Sequence, residues 1–267
     1  MANDPAAHAQ DATAFEFPFG LELPLPSMLG IQITKFMVLE LLVAVAMIAV
    51  FVSLAKRIEG GKVARGRFWN LWEALLVYVR NDVVFSVMGK KNGAIYLPFI
   101  WMIFFLILFC NLFGLLPWMG SPTGSIATTL VLAIVTFLVA TISGMRKFGA
   151  IGFWLGLVPH IDLPIYLMVI LKPMLFVIEV ASYMIKFGVL AIRLWANMFG
   201  GHVVLAVFVG FIAAAADSAF YVWGSVTIIS IAVSLAISLL ELLVAFLQAY
   251  IFAFLATLFI NMTLHQH

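Results

Sequence analysis

Residues 174–212 read MLFVIEVASYMIKFGVLAIRLWANMFGGHVVLAVFVGFI, and this stretch decides the fold of the chain. It is almost wholly apolar, yet Arg193 stands at its centre, about 24 Å or more from either end if the stretch is helical. A guanidinium in a bilayer core costs roughly 2.5–3.5 kcal/mol even on lenient insertion scales, and it keeps its charge. We therefore expect the fixed positive charge to have a function. The alternative is a structural arginine that reaches the lipid surface or pairs with a buried carboxylate.

The composition is also that of a membrane protein. Hydrophobic residues make up 65% of the 267 residues and charged residues only 10%, whereas a soluble domain carries about 25% charged residues. Several apolar runs reach the roughly 20 residues that a membrane-spanning helix needs. The pattern predicts an all-α, polytopic membrane protein with five transmembrane helices and one amphipathic helix on the membrane surface.

The predicted elements form a single membrane domain over residues 31–267. The spans cover about 36–54, 95–116, 126–144, 174–212 and 220–264, and the surface helix covers about 68–88. Residues 1–30 are acidic, contain several prolines and have no basic n-region, so they predict a mostly unstructured tail and not a signal peptide. Residues 148–173 are rich in glycine and proline and predict a partly immersed connector.

The distribution of basic residues predicts the orientation. Eight Lys or Arg residues lie between positions 55 and 92, and Arg146 and Lys147 add two more in the next loop on the same side. Basic loops are preferentially cytoplasmic, so we expect the N-terminus outside and the C-terminus in the cytoplasm. A bacterial plasma membrane is the expected location, with an organelle inner membrane as the alternative.

The last two spans are too long for a helix that crosses the bilayer upright. About 39 and 45 residues would extend to nearly 60 and 68 Å as helices, against a hydrocarbon core of about 30 Å. They predict a long, steeply tilted hairpin, with Gly200, Gly201 and Gly210 as places where the fourth span could bend.

Both long spans carry polar residues at helical spacing. On the fourth span these are Glu179, Ser182, Lys186, Arg193 and Asn197, and on the fifth Thr227, Ser234, Glu241 and Gln248. Small polar groups often join membrane helices by hydrogen bonds, which accounts for the serines and threonines. It accounts poorly for the carboxylates and the arginine.

A histidine and a carboxylate are predicted at one depth on the outer side. His202 is about 13.5 Å outward of Arg193, and Glu241 is about 10.5 Å outward of Gln248. If Gln248 lies level with Arg193, His202 and Glu241 lie at nearly the same depth and form a proton relay. Glu179 lies about 21 Å to the cytoplasmic side of Arg193. This separation predicts two offset half-channels divided by a fixed cation.

Three ordered motifs carry a resemblance to a known family. Residues 192–202 (IRLWANMFGGH) resemble the arginine motif of subunit a of F-type ATP synthase, R-L-x-x-N-M followed by G-[EH]. Residues 247–252 (LQAYIF) are similar to its L-Q-A-[YF]-I-F motif, and residues 111–117 (NLFGLLP) to its N-L-x-x-L-[LI]-P signature. The resemblance covers roughly residues 31–262.

The resemblance implies roles in proton translocation for eight residues. Arg193 would face the carboxylates of a rotating c-ring and prevent protons from slipping between the half-channels. The other implied roles are neighbours of the arginine (Asn197 and Gln248), the outer half-channel (His202 and Glu241), the cytoplasmic half-channel (Glu179 and Ser182) and a polar position near the outer route (Asn111). Gly114 departs from certain relatives that carry an acid there, which puts a titrating role at that position in doubt.

The resemblance also implies partners. They are the c-ring, the peripheral-stalk subunit b, the remaining ATP synthase subunits and the lipid bilayer, with no nucleic acid. The sequence has no phosphate-binding glycine-rich loop and no metal-ligand cluster, so we expect no cofactor, no metal and no covalent active site in this chain. The choice between H⁺ and Na⁺ is set largely by the ring.

Two other functions are compatible with a polytopic membrane protein. A proton-coupled secondary transporter also uses intramembrane Arg, Glu and His, but it usually shows an internal repeat, and no convincing halves are visible here. A passive membrane scaffold does not account for the buried charges.

Overall fold

The computed structural model describes residues 12, 14–17, 21–24, 27–28, 31–59, 66–116, 120–157, 165–216 and 219–265. Seven α-helices make up most of this part of the chain. They are α1 (Lys35–Ile58), α2 (Arg67–Tyr78), α3 (Ser86–Gly114), α4 (Ile126–Phe148), α5 (Ala150–Leu155), α6 (Ile165–Ala214) and α7 (Phe220–Leu264). A π-helical segment (Val79–Phe85) joins α2 to α3, and a 3₁₀ turn (Pro122–Gly124) precedes α4.

Five helical stretches among the described residues are long and apolar enough to cross a membrane. They are Lys35–Ile58, Arg67–Gly114, Ile126–Phe148, Leu171–Ala214 and Phe220–Leu264. Each matches one of the five predicted spans, although the second predicted span, 95–116, runs two residues past Gly114. The prediction of a helical, multi-pass membrane protein is confirmed. The bounds of the last span, residues 220–264, coincide with α7.

The predicted surface helix and the second span are separated at Gly89. This residue has φ +70° and ψ 168°, a left-handed backbone conformation that glycine adopts without a side-chain clash. α2, the π-helical segment and the first residues of α3 therefore form one helical stretch, and the apolar helix that contains residues 95–114 follows. The predicted boundary between 88 and 95 lies at this break.

The predicted connector over residues 148–173 is only partly irregular. α5 occupies Ala150–Leu155, and α6 already begins at Ile165, with Pro173 inside the helix. Proline was interpreted as a break because it lacks an N–H and crowds the preceding turn. In an apolar setting, however, the other backbone groups are best satisfied by continuing the helix. α6 is likewise helical through Gly200, Gly201 and Gly210, where a bend was expected.

Part of the N-terminal tail, which was predicted to be mostly unstructured, forms two short antiparallel strand pairs. β1 (Ala14–Phe17) pairs with β2 (Leu21–Pro24), and β3 (Ser27–Met28) pairs with β4 (Ile31–Gln32). The sequences Phe-Glu-Phe and Leu-Glu-Leu alternate with the period of a strand, a signal that the acidic composition masked. Residues 1–11 of the predicted tail lie outside the described residues.

The core lies between α3 and the C-terminal half of α7. Ile100, Ile103, Phe104 and Ile107 of α3 are fully buried. α3 packs against α7, α7 packs against α6, and α6 packs against α4. Small residues of α7 allow this close approach, and they include Ala249, Ala253 and Ala256, all fully buried. This packing holds α6 and α7 side by side and fixes which of their faces remain open.

Candidate functional site

Arg193 lies on an exposed, apolar side of α6. Its side chain is exposed, and so are Ile192 (53%) and Val189 (45%), whereas Leu190 and Leu194 are fully buried on the opposite side of the helix. Within the described part of the chain, Arg193 has neither a hydrogen bond nor an ion pair. The guanidinium therefore has no polar partner among the described residues and lies beside exposed apolar side chains of α6.

Asn197 and Gln248 join α6 to α7 one turn after the arginine, toward the C-terminus of α6. Asn197 Nδ2 donates a hydrogen bond to Gln248 Oε1 at 3.0 Å, and Gln248 is fully buried. This hydrogen bond joins two long side chains and does not fix which Cα atoms of α6 and α7 lie level, so the assumption that Gln248 lies level with Arg193 stays a prediction.

Glu241 is packed against the backbone of Gly201. A methyl group placed on Gly201 would lie 2.9 Å from Glu241 Cδ and 3.1 Å from Cγ, and Glu241 itself is only 9% exposed. His202 follows Gly201 in the chain, so the carboxylate and the imidazole lie at the same level of the α6–α7 pair. Glu241 Oε2 and His202 Nε2 are both buried without a hydrogen-bond partner among the described residues. Buried polar atoms left without a protein partner are the positions where ordered water is expected.

Asn111 belongs to a buried hydrogen-bonded cluster, which we call the Asn111 cluster and define as Asn111, Ser121 and Thr123. Thr123 Oγ1 donates to Asn111 Oδ1 at 2.7 Å, and the hydroxyls of Ser121 and Thr123 are 2.7 Å apart. Asn111 Nδ2 donates to the backbone oxygen of Ala245 on α7 at 3.2 Å. All three cluster residues are fully buried. The cluster therefore reaches α7 one turn from Glu241.

Ser121 and Thr123 were not among the predicted site residues. The sequence placed them in a turn between two spans, and turn residues are usually solvated. The signal that could have found them is Gly114, because a side chain there would collide with the Ser121 side chain. The missing side chain at Gly114 leaves room for a folded-back turn, and the turn brings its hydroxyls into the core.

Glu179 and Ser182 lie in the N-terminal half of α6 and are both half-buried. Neither has a hydrogen bond within the described ranges. Glu179 is 14 residues before Arg193, about 21 Å along the helix. The predicted site residues thus comprise one group around Glu241, Gln248 and Asn111, the Glu179–Ser182 pair on the other side of Arg193, and Arg193 between them.

From Glu241 toward the N-terminus of α7, the helix carries a series of hydroxyl groups. Ser230 is buried, Ser238 Oγ donates to the backbone oxygen of Ser234 at 2.9 Å, and Thr227 Oγ1 is buried without a partner in the described residues. Among the same residues, no group of three His, Cys, Asp or Glu side chains could hold a metal ion. The polar chemistry of this region therefore consists of titratable groups, amides and hydroxyls.

Comparison with known proteins places this arrangement in a family. The model of the ATP synthase A chain family matches residues 37–261, which include all eight predicted site residues. The chain belongs to this family. It is similar to ATP synthase subunit a of Myxococcus xanthus, with 35% identity over 195 residues, 72% of this chain and 62% of that protein.

Two further relatives give the same result. ATP synthase subunit a of Gluconobacter oxydans is 40% identical over 173 residues, 65% of this chain and 66% of that protein. ATP synthase subunit a 2 of Chlorobium luteolum is 35% identical over 214 residues, 77% of this chain and 61% of that protein. The chain spans less than two thirds of the length of these relatives. The resemblance read from the three motifs is confirmed, and family membership favours it over a secondary transporter.

Proposed function

We propose that this chain is the stationary subunit of a proton-driven rotary motor in an ATP synthase. In this proposal it supplies two offset proton half-channels to a ring of c subunits, and Arg193 separates them. The observation that carries the proposal is the placement of Arg193: it is exposed on an apolar face of α6, while buried Glu241 of α7 and half-buried His202 lie about two turns further along α6. A cation so placed can meet a carboxylate on a neighbouring subunit.

The outer half-channel is formed by the groups around Glu241. His202 and Glu241 lie at one level, each with a buried polar atom that has no hydrogen-bond partner among the described residues, and the Asn111 cluster approaches from the α3–α4 side. Protons from outside reach the ring through these groups. Asn197 and Gln248, joined by a hydrogen bond, lie between this pair and Arg193 and hold α6 and α7 in register.

The inner half-channel is formed on the cytoplasmic part of α6. Glu179 and Ser182 are half-buried polar residues on a helix whose remaining surface is apolar. They provide a path for protons that leave the ring toward the cytoplasm. The roughly 21 Å between Glu179 and Arg193 keeps the inner path from joining the outer one.

Electrostatics gives the mechanism its direction. A ring carboxylate is neutral where it faces lipid and ionised where it faces Arg193, because transfer of an ionised carboxylate into hydrocarbon costs far more than transfer of the protonated acid. A proton from the outer half-channel neutralises one carboxylate, which can then rotate into lipid. The carboxylate returning from lipid releases its proton toward Glu179 and pairs transiently with Arg193. A membrane potential of about 150 mV supplies roughly 3.5 kcal/mol per proton.

The same proposal sets partners and orientation. The partners are the c-ring, the peripheral-stalk subunit b and the other ATP synthase subunits, in a bacterial plasma membrane. The basic residues between 55 and 92 lie in the cytoplasm, the N-terminus lies outside and the C-terminus inside. α6 and α7 contain 50 and 45 residues, about 75 and 68 Å, and are therefore steeply tilted in a 30 Å hydrocarbon core. The stretch from Arg67 to Met88 lies on the membrane surface.

Substitution of Arg193 by alanine tests the proposal. Because the ring carboxylates would lose their counter-charge, we expect Arg193→Ala to abolish both ATP synthesis and ATP-driven proton pumping. Assembly with the ring should persist, since the side chain has no partner in the described residues. Both rates would be measured in inverted membrane vesicles, with a pH-sensitive dye for pumping.

The matched control is Arg146→Ala, which removes an equally exposed arginine from the cytoplasmic end of α4. It should leave both rates close to those of the unmodified complex. Normal coupled pumping by an assembled Arg193→Ala complex would contradict the proposal.

A further inference from the structure

We propose that Glu40 of α1 is a further proton-relaying residue, placed at the outer mouth of the path that leads through the Asn111 cluster to Glu241. The inference rests on the function proposed above and extends its outer half-channel to a helix that this function leaves unused. Two observations carry it: the hydrogen bond that Glu40 makes inside a candidate span, and its closeness to the Asn111 cluster.

Glu40 is the only acidic residue of α1, five positions after the first residue of the helix, Lys35. One side of α1 is exposed and apolar, with Leu41 at 67% and Ile48 at 63%. The Glu40 carboxylate, in contrast, is half-buried on the side that meets α4, where Thr128 Oγ1 donates to Glu40 Oε1 at 3.0 Å. The carboxylate thus points into the protein from a helix whose outer side is suited to lipid.

The Asn111 cluster adjoins α1, the helix that carries this carboxylate. The backbone oxygen of Cys110 accepts a hydrogen bond from Ser121 Oγ at 3.3 Å, and Ser121 is the first member of the cluster. α1 also packs directly against the 3₁₀ turn that carries Thr123. The cluster ends at the Ala245 backbone oxygen, one turn from Glu241, so polar groups connect the surroundings of the two carboxylates.

The chemistry required of Glu40 is a reversible proton transfer. Its carboxylate takes a proton from a hydronium ion on the outer side, which leaves water and a neutral carboxylic acid. The acid then gives the same proton to water along the cluster and returns to the carboxylate. A half-buried carboxylate with one neutral hydrogen-bond donor can exchange a proton with water on the outer side and with water along the cluster. A carboxylate that only joined α1 to α4 through this hydrogen bond could instead be replaced by any good hydrogen-bond acceptor.

Glu40→Gln separates these two roles, because glutamine keeps an oxygen that can accept the hydrogen bond from Thr128 but cannot carry the proton. We expect Glu40→Gln to lower the rate of ATP synthesis severalfold in inverted vesicles energised by acidifying the lumen, which corresponds to the outer side. Glu40→Asp should restore most of the rate. The matched control is Glu59→Gln at the cytoplasmic end of the same helix, which should leave the rate unchanged.

Thr128→Val is the reciprocal variant: it removes the hydrogen bond between α1 and α4 and keeps the Glu40 carboxylate. It therefore separates a structural role of the hydrogen bond from proton transfer by the carboxylate. It should slow synthesis less than Glu40→Gln does. An unchanged rate in Glu40→Gln, or an equal loss in Thr128→Val and Glu40→Gln, would overturn the inference. If Glu40→Gln does not assemble with the ring while Glu40→Asp and Thr128→Val both assemble and work normally, the carboxylate is a structural requirement and the inference also fails.

Glu241→Gln in the same assay keeps the two proposals distinguishable. A strong loss in Glu241→Gln together with no loss in Glu40→Gln would remove Glu40 from the path and leave the proposed function standing. A normal rate in Glu241→Gln would instead contradict the outer half-channel itself.

Discussion

Gly201 controls the position of the outer carboxylate. The space that a side chain would occupy at this residue is taken by Glu241, whose Cδ and Cγ atoms lie 2.9 and 3.1 Å from the site of an added methyl group. The neighbouring Gly200 has no atom within 4 Å of the equivalent position. Gly200 therefore makes no such contact, whereas Gly201 leaves the space that the Glu241 side chain occupies between α6 and α7.

This difference makes a sharp comparison possible. Gly201→Ala should push the Glu241 side chain out of its site, because overpacking of a filled space costs about 1–3 kcal/mol. We expect proton uptake from the outer side to slow by about tenfold, the factor that corresponds to roughly 1.4 kcal/mol. Synthesis after an acid–base jump would measure it. Gly200→Ala should behave like the unmodified protein, and similar rates for the two variants would show that Glu241 moves freely.

At this scale the sequence predicted which residues share a helix face but not which residues meet. The seven-residue spacing placed Glu241 and Gln248 on one stripe of α7, and the structure buries both. The pairing of Gln248 with Asn197 depends on the packing of α6 against α7, and that packing depends on small residues such as Gly201. Only Asn111 of the Asn111 cluster could be predicted from the sequence. The hydroxyls of the cluster come from a turn that folds back because Gly114 has no side chain.

Gly144 has an analogous role between elements, where α4 and α5 meet the C-terminal end of α7. An added methyl group would collide with the Phe153 ring of α5 and lie 3.2 Å from the backbone oxygen of Thr263 on α7. The Lys147 ammonium of α4 also donates to the backbone oxygen of Leu264, the last residue of α7. The end of α7 is thus held by a close backbone contact and by a charge-assisted hydrogen bond to a terminal carbonyl.

Gly144→Ala should loosen this junction. Phe153 is fully buried and has little room to move, so we expect a loss of about 1–3 kcal/mol in the free energy of unfolding. Denaturation of the purified protein in detergent, followed by circular dichroism, would measure the loss. Gly210→Ala is the control, since the added methyl group meets no atom within 4 Å and Gly210, like Gly144, lies inside an α-helix. Equal stability of the two variants would contradict the tight fit at Gly144.

The bounds of α7 followed from apolar run length, and α1 and α4 begin within one residue of the predicted spans but extend four residues beyond them. The starts of the helices that contain the second and fourth spans did not follow. Gly89 breaks the helix through its backbone angles, a choice that an apolar sequence on both sides conceals. Pro173 was the last residue of the predicted connector, yet it lies inside α6. Local signals of this kind give the right residue but not the outcome, because the surroundings decide whether an unpaired backbone group is tolerated.

For the molecule as a whole, the asymmetry of burial is the property that composition could not reveal. α3 and the C-terminal half of α7 form a dense core, whereas one side of α6 and much of α7 remain exposed and apolar, with Leu235, Leu239 and Leu243 at 62–63%. Exposed apolar surface on a membrane protein meets either lipid or a partner helix. Arg193 on the exposed side of α6 favours a partner there, because a guanidinium facing lipid tails would be left without a counter-charge.

Cross-linking across the two sides of α6 would test this assignment in the assembled complex. Ile192→Cys lies on the exposed side next to Arg193, and Leu190→Cys lies on the fully buried side only two positions away. With a second cysteine beside the ring carboxylate, we expect Ile192→Cys to form a disulfide with subunit c during turnover and Leu190→Cys to form none. Both variants carry Cys110→Ala, because Cys110 is the only native cysteine. Disulfide formation from position 190 at the rate seen from position 192 would mean that the ring does not pass the exposed side of α6, and Arg193 would then lose its place as the separator of the two half-channels.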